Sequence, residues 1–445
     1  MLKTINTVYI FASLFLYFTL SPKITGEHIL VNILAIFSFM CYFIMLELNR
    51  IVSSKYNTYS SLAIEVFVYS FIFVFLENSI SYFYTGNFFV FSTSDATFYH
   101  DSVMEIIDMP LMDGINHYLS YMDFDDLGMI LVLYPLCLVS DSNLMLNLFY
   151  LFVGVIIATS LFSLSQQFMS KKYAFLASLS FSISSFIIFF HSSGLKESFL
   201  VMIVVLSFDF YYRFLKSRKI RYLLIALIFL SIIMLFRPAI LGMIIVAVGL
   251  SALFSQGGVG VKVISFFIFI LLMAFGDLIG EIIEKYTTGG VDTLIEARET
   301  QGMVIGGVGF TYAVNILSQS IGPLPTVVSS SKILTMLYTS GLIYRVFLGI
   351  PFWLTVLFAF RYKYTKIYPL ILFVIMEMSA LAFLMDGLEL RKALPHIPIV
   401  YVVAFWFLDK YDRKIIQFKK EKRFEIFFKI LLFILIVLMF YWNFR

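Results

Sequence analysis

Long apolar runs, separated by short polar segments, set the pattern of this chain. Thirteen runs are candidates to cross a bilayer: 5–22, 28–48, 62–84, 143–165, 172–190, 196–213, 221–236, 238–254, 262–283, 333–360, 367–385, 394–409 and 427–443. A crossing helix needs roughly 20 mostly apolar residues, and several of these runs are near that limit. The piece "LGMILVLYPLCLVS" (127–140) is shorter and contains Pro135. It is expected to lie in the interface as a half-helix, or to dip in and return.

Composition points the same way. Of 445 residues, 61% are hydrophobic and only 13% charged, against about 25% charged in an ordinary soluble domain. Mean hydropathy is +0.94. No soluble core could hide this much apolar surface, so part of the solvent is lipid. The 52 Phe and 27 Tyr suit lipid-facing and interfacial layers. A net charge of +4 says little about nucleic acid. Cys41 and Cys137 lie in apolar runs and are read as small core residues. The apolar run after Lys3 has no convincing small-residue cleavage site and is expected to be retained as a span.

Orientation follows from the basic loops "NRIVSSK" (50–55), "KK" (171–172), "RFLKSRKIR" (213–221), "RYKYTK" (361–366) and "KYDRKIIQFKKEKR" (410–423). Short loops rich in Lys and Arg stay cytoplasmic. If 127–140 does not cross, all five fall in alternate loops and the N-terminus is inside. The outer face then carries the loops 85–142 and 284–332 and the turn at Arg237-Pro238. Most of the remaining chemistry gathers there.

Five segments on that face carry candidate residues. In "FSTSDATFYHDSVMEIIDMP" (91–110), Asp95 either caps a surface helix or serves as a general base or ligand to a divalent metal, with His100 close by. In "HSSGLKESFL" (191–200), Gly194 breaks one helix, and Lys196 and Glu197 begin the next. They form either a solvated turn or a phosphate contact from Lys196 oriented by Glu197. "LFRPAI" (235–240) places Arg237 beside a helix-starting proline, as an interface anchor or a bidentate fork for phosphate. The Gly-rich stretch 284–326 is too polar to span. It is expected to form a long outer loop with an amphipathic helix near 291–301 and Arg298 as its best candidate. In "MDGLELRKALPHIPI" (385–399), Arg391, Lys392 and His396 flank a span start, against the positive-inside trend.

In the order of these pieces the chain resembles the GT-C class of membrane glycosyltransferases, family-39-like members included. The resemblance covers roughly residues 62 to 410. It rests on the acid-led loop "SDATFYH", the half-helix "DLGMILVLYPL", the "KE" span start in "GLKESFLVMIVVLSFDFYYRF", "LFRP" and the late "LRKALPHIPI". It implies that Asp95 is the catalytic or metal-associated carboxylate, with Lys196, Arg237 and Arg391 on the donor phosphate. The chain departs from the class in two ways. Asp95 is followed by Ala96 rather than a second acid, and two extra spans precede the module. The chain also looks like O-antigen and capsule repeat-unit polymerases, which are similarly long and apolar.

The resulting expectation is an all-α polytopic membrane protein of about 13 helices in a single membrane domain, with a GT-C-like arrangement. Residues 1–60 hold two extra spans, 62–283 a seven-span module, 284–332 a long outer loop and 333–445 the last spans. The expected location is the bacterial inner membrane, with the active face outward. The expected activity is glycosyl transfer from a polyprenyl-(pyro)phosphate-linked sugar, leaning towards repeat-unit polymerisation over single-sugar transfer. Asp95, His100 and Glu197 are the expected catalytic residues. Lys196, Arg237, Arg298, Arg391 and His396 are expected to hold phosphate. A divalent cation such as Mg or Mn is the expected cofactor, at Asp95. The expected partners are the lipid-linked substrate, membrane lipid and proteins of polysaccharide export or chain-length control. A lipid-linked oligosaccharide transporter is the alternative from another class. It would need charges in mid-span, of which Glu377 is the clearest.

Overall fold

The apolar runs fold as helices, and in the computed structural model regular structure is helical throughout the described residues. These are all but 25, 27–28, 87–93, 123, 141, 255–306, 323, 328–335, 385–389, 417, 419–420 and 445. In chain order the helices are α1 (Leu2–Leu20), α2 (Ile29–Ile51), α3 (Tyr59–Thr85), α4 (Ser94–Ile106), α5 (Leu111–Leu119) and α6 (Leu127–Cys137). Then come α7 (Asn143–Ser165), α8 (Lys171–Ser182), α9 (Ser185–Ser192), α10 (Glu197–Ser217), α11 (Ile220–Ile233) and α12 (Pro238–Phe254). The last six are α13 (Val308–Ile321), α14 (Thr339–Tyr362), α15 (Tyr368–Leu384), α16 (Leu390–Ala393), α17 (Ile397–Asp412) and α18 (Glu421–Phe444).

The chain is an all-α polytopic membrane protein, but with fewer spans than the thirteen expected. Among the described residues eight helices are long and apolar enough to cross a membrane, or nine if the bent pair α8–α9 counts as one span. The reason is length. The runs 221–236 and 238–254 become helices of 14 and 17 residues. The run 394–409 becomes one of 16 residues. At 1.5 Å per residue these fall short of the hydrocarbon thickness. The run 262–283 lies outside the described residues. At Ser182–Ser185 the α8–α9 axis bends by 56°.

Why α17 is short but structural follows from its sequence. It is apolar on every side, and 14 of its 16 residues are buried. A helix of that kind belongs in the interior, and α17 packs on α14, α8 and α15. Around it, α1, α2 and α14 meet through Tyr9, Tyr42 and Tyr344, tilted edge-on at 5.1–5.6 Å between ring centres. Two of the three hydroxyls find partners, Tyr42 on the Ser180 carbonyl at 2.8 Å and Tyr344 on Asn6 Oδ1 at 3.1 Å, while Tyr9 Oη has none among the described residues. Cys137 is buried as expected of a core residue, whereas Cys41 is only half-buried on α2.

The basic loops gather at one end of the bundle. There the N-terminal amine meets Asp412 at 3.1 Å, Tyr173 donates to Asp412, and Ser170 donates to Asp409 at 2.5 Å. Tyr212 donates to the Lys366 carbonyl at 2.8 Å. Phe168 packs on Tyr212 with ring centres 4.6 Å apart.

α6 is a short apolar helix, as expected of 127–140: 11 residues, mostly buried, with Pro135 inside. It is pinned by Gly128, whose N–H donates to the Leu235 carbonyl at 2.8 Å. A Cβ there would lie 2.6 Å from the Phe236 ring, so only glycine lets α6 approach the end of α11 this closely.

The expected outer loop 284–332 also holds more structure than anticipated. The amphipathic helix near 291–301 lies outside the described residues, but α13 forms just after it and packs on α14 and α15. The C-terminal end of α13 meets two donors, one buried and one half-buried. Arg345 Nη2 reaches the Gln319 carbonyl at 2.6 Å, and Trp353 Nε1 reaches Ser320 Oγ at 2.8 Å. A cation at a helix C-terminus is favoured by the free carbonyls and the dipole. That gives Arg345, buried and without an acidic partner among the described residues, a local reason to be there. The chain then reverses at Gly322 (φ +85°) and reaches α18, where the Val327 N–H donates to Asn443 at 2.9 Å.

Candidate functional site

Six separate segments meet around one cavity of about 340 Å³, within the size range of small-molecule sites. The start of α4 presents Asp95, Phe98 and Tyr99, which share a face by their i, i+3, i+4 spacing. Asp126 stands just before α6, Lys196 just before α10 and Arg237 just before α12. α15 supplies Glu377, Ala380 and Leu381 at the same helical spacing, and α16 supplies Arg391 and Lys392. The first turns of α12 add Ala239, Ile240 and Met243. The wall is therefore charged around part of its circumference and apolar around the rest.

The charges are ordered by pairing. Arg391 Nη1 lies 2.7 Å from Asp95 Oδ2, and its Nε lies 3.3 Å from Glu197 Oε1. Arg237 Nη2 meets the same Glu197 oxygen at 3.1 Å. Glu197 is 1% exposed and stands behind the wall. It opens α10, where a negative charge is favoured by the helix dipole, and it fixes two arginines at once. This corrects one expectation: Glu197 orients Arg237 and Arg391 rather than Lys196. Lys196 Nζ bonds instead to Asp126, which also accepts from Tyr99 Oη at 2.8 Å. Burial first, and the Asp126 charge second, push the Tyr99 phenol far above its usual range. It stays a proton donor.

Of the residues expected from sequence, Asp95, Lys196, Arg237 and Arg391 line the cavity, with Glu197 directly behind them. His396 is fully buried at the start of α17, its Nδ1 3.6 Å from Glu377 Oε2. It backs the wall rather than facing it, so it holds no phosphate in this arrangement. His100 faces Asp101 at 3.6 Å and does not line the cavity. Arg298 lies outside the described residues. Sequence reasoning missed Tyr99 and Asp126 as site residues. The available signal was their position, one helical turn after Asp95 and immediately before the half-helix. Glu377 stood out in the sequence as a mid-span charge, without a place in the site.

The described residues gather no ligand set for the divalent cation expected at Asp95. Its carboxylate is engaged by Arg391, Asp126 and Glu197 each face a cation of their own, and among the described residues no three His, Cys, Asp or Glu side chains are grouped to hold a metal ion. The chemistry below runs through the side chains alone.

No protein-family model matches the sequence, and no curated protein matches it.

Proposed function

We propose that the protein is a membrane glycosyltransferase that uses a polyprenyl-(pyro)phosphate-linked sugar. It acts at the face of the bilayer opposite its basic loops and serves surface-polysaccharide assembly, as a repeat-unit polymerase before a single-sugar transferase. The observation that carries this reading is the convergence of Lys196, Arg237 and Arg391 with Asp95 in one cavity that also has an apolar wall. A substrate with a phosphate beside a lipid tail matches both halves of that wall. By the positive-inside rule the basic end is cytoplasmic, which puts the cavity on the outer side.

The three cations are held in place before substrate arrives, and fixed donors of that kind stabilise a leaving phosphate. The acceptor hydroxyl attacks the anomeric carbon. A new C–O bond forms, the bond to phosphate breaks, and its electron pair leaves on the phosphate oxygen beside Arg237, Arg391 and Lys196. Asp95, which reaches solvent, orients the acceptor hydroxyl.

The test is the polysaccharide banding pattern of a deletion strain of the source organism, complemented with the wild type, Asp95→Asn or Arg391→Ala. Loss of long chains with single repeat units retained, unrepaired by either variant, supports polymerisation. A sugar-deficient unit supports single-sugar transfer. An unchanged pattern in the deletion strain defeats both. Glu377, a buried carboxyl in the cavity wall, gives the transporter reading its one specific support. Flipping of a lipid-linked oligosaccharide by reconstituted protein, without bond formation, would favour that reading.

A further inference from the structure

Glycosyl transfer releases a proton, and the cavity wall offers three carboxylates to receive it: Asp95, Asp126 and Glu377. Two are paired with permanent cations, Asp95 with Arg391 and Asp126 with Lys196. A carboxylate held by a guanidinium gains little by taking a proton, because the arginine stays charged and loses its partner. Glu377 differs. It is 2% exposed, and its ionic partner among the described residues is His396, Nδ1 to Oε2 at 3.6 Å. That is just beyond hydrogen-bond length. Among the described residues, Glu377 Oε2 and both ring nitrogens of His396 have no hydrogen-bond partner. An imidazole beside a carboxyl can take a proton or give one, so this pair can hold a proton on either member.

We propose that Glu377 is the proton acceptor of the cavity and that His396 is the residue that positions it. The inference rests on the glycosyl-transfer reading and adds where the proton goes. As the acceptor oxygen bonds to the anomeric carbon and the phosphate departs with its electron pair, the hydroxyl proton passes to a Glu377 oxygen. It then moves to His396 or to water. Asp95 is left to orient, and Glu197 to hold the arginines.

Among the described residues, the groups facing Glu377 are few. Asp95, Tyr99, Asp126, Lys196, Arg237, Arg391 and Lys392 share its cavity, and His396 stands behind it. α12 and α13, which both pack on α15, bring no charged side chain. A pH profile of turnover therefore reports on a short set of residues.

The experiment uses the full-length purified protein, with the lipid extract of the deletion strain as substrate. The initial rate of glycan extension is followed from about pH 5 to 9. Retention of radiolabelled undecaprenyl phosphate serves as a separate binding probe. Glu377→Gln is expected to lower turnover by about 10²–10⁴-fold while probe binding stays within about twofold of wild type. Glu377→Asp, which keeps the carboxyl, recovers part of the rate. His396→Gln retains turnover at roughly a tenth and displaces the acid limb of the profile.

Glu377→Gln with wild-type turnover and an unmoved acid limb overturns the inference. So does a variant that loses probe binding in step with turnover. If Glu377→Gln is active while Arg391→Ala is inert, the inference alone fails and the glycosyl-transfer reading stands. If the wild type extends nothing from the extract, that reading fails and takes the inference with it.

Discussion

Arg391 faces two carboxylates at once: Asp95 Oδ2 lies 2.7 Å from its Nη1, and Glu197 Oε1 lies 3.3 Å from its Nε as a charge contact without hydrogen-bond geometry. The two acids come from helices far apart in the chain, and this one guanidinium sets their separation. An ammonium is a point charge on a flexible stem and cannot meet both in the same way. If the protein transfers sugar as proposed, Arg391→Lys should lower the rate by about 10²-fold, near the effect of removing one fixed transition-state donor. The initial rate with lipid-linked substrate, set beside an unchanged elution profile, checks it. A rate within about threefold of wild type would show that charge alone suffices.

Lys196 and Asp126 form the second half of the charged wall, largely out of water. A double-mutant cycle with Lys196→Met and Asp126→Asn is expected to give a coupling energy of about 0.5–3 kcal/mol in detergent unfolding. Tyr99→Phe removes a neutral donor to Asp126 and is expected to cost about 1 kcal/mol. Strict additivity of the two charge substitutions would mean that the pair is not formed in the folded protein.

Gly341 makes a tight helix contact. A Cβ there would sit 2.0 Å from Ser184 Oγ and 3.0 Å from the Ser185 backbone nitrogen. The Gly341 N–H also donates to Ser185 Oγ at 3.1 Å. Small residues let transmembrane helices approach this closely. Gly341→Ala should destabilise by about 1–3 kcal/mol through overpacking. Gly154 on α7, whose Cβ would meet nothing within 4 Å, is the control. Gly154→Ala should be neutral, or stabilising by up to about 1 kcal/mol. Melting temperatures of the two variants in one detergent settle the comparison.

Arg345 is 1% exposed, and among the described residues its Nε and Nη1 are unpaired and Nη2 has one bond to the Gln319 carbonyl. A desolvated charge so poorly matched contributes little net stability, and an apolar side chain of similar volume often does as well or better. Arg345→Met should leave the melting temperature unchanged or raised. Arg345→Ala, which leaves a void, should lower stability by about 2–5 kcal/mol. A large loss in the Met variant would show that the tie to α13 contributes substantial net stability.

Glu105 on α4 accepts a hydrogen bond from His117 on α5, between atoms 3.0 Å apart. That bond, with a smaller one from Tyr121, holds the carboxyl below its usual range. The unfolded chain therefore binds the proton more readily. The contribution to stability is present above the ordinary glutamate range and is lost as pH falls through the lowered value. Carboxyl NMR on labelled protein should show Glu105 titrating lower in the wild type than in His117→Ala. Coincident titrations would remove the contact.

The sequence by itself determined the medium and the element type. Apolar runs of span length fix a lipid-solvated helical bundle, because backbone groups in hydrocarbon must bond within their own helix. It also marked Asp95, Lys196, Arg237 and Arg391, since charges beside apolar runs are costly to keep without a use. Local pattern does not show how far a short helix reaches. So α11, α12 and α17 read as spans, although their apolar stretches end at 14, 17 and 16 residues. Only the tertiary structure decided the partnerships. Glu197 turns to two arginines rather than to its neighbour Lys196, because opening α10 aims its carboxylate inward. Glu377 enters the site, and His396 stands behind it, because α15 and α17 pack side by side. Such pairings depend on how helices cross, and helix crossing is set by side-chain packing between segments that the linear pattern never brings together.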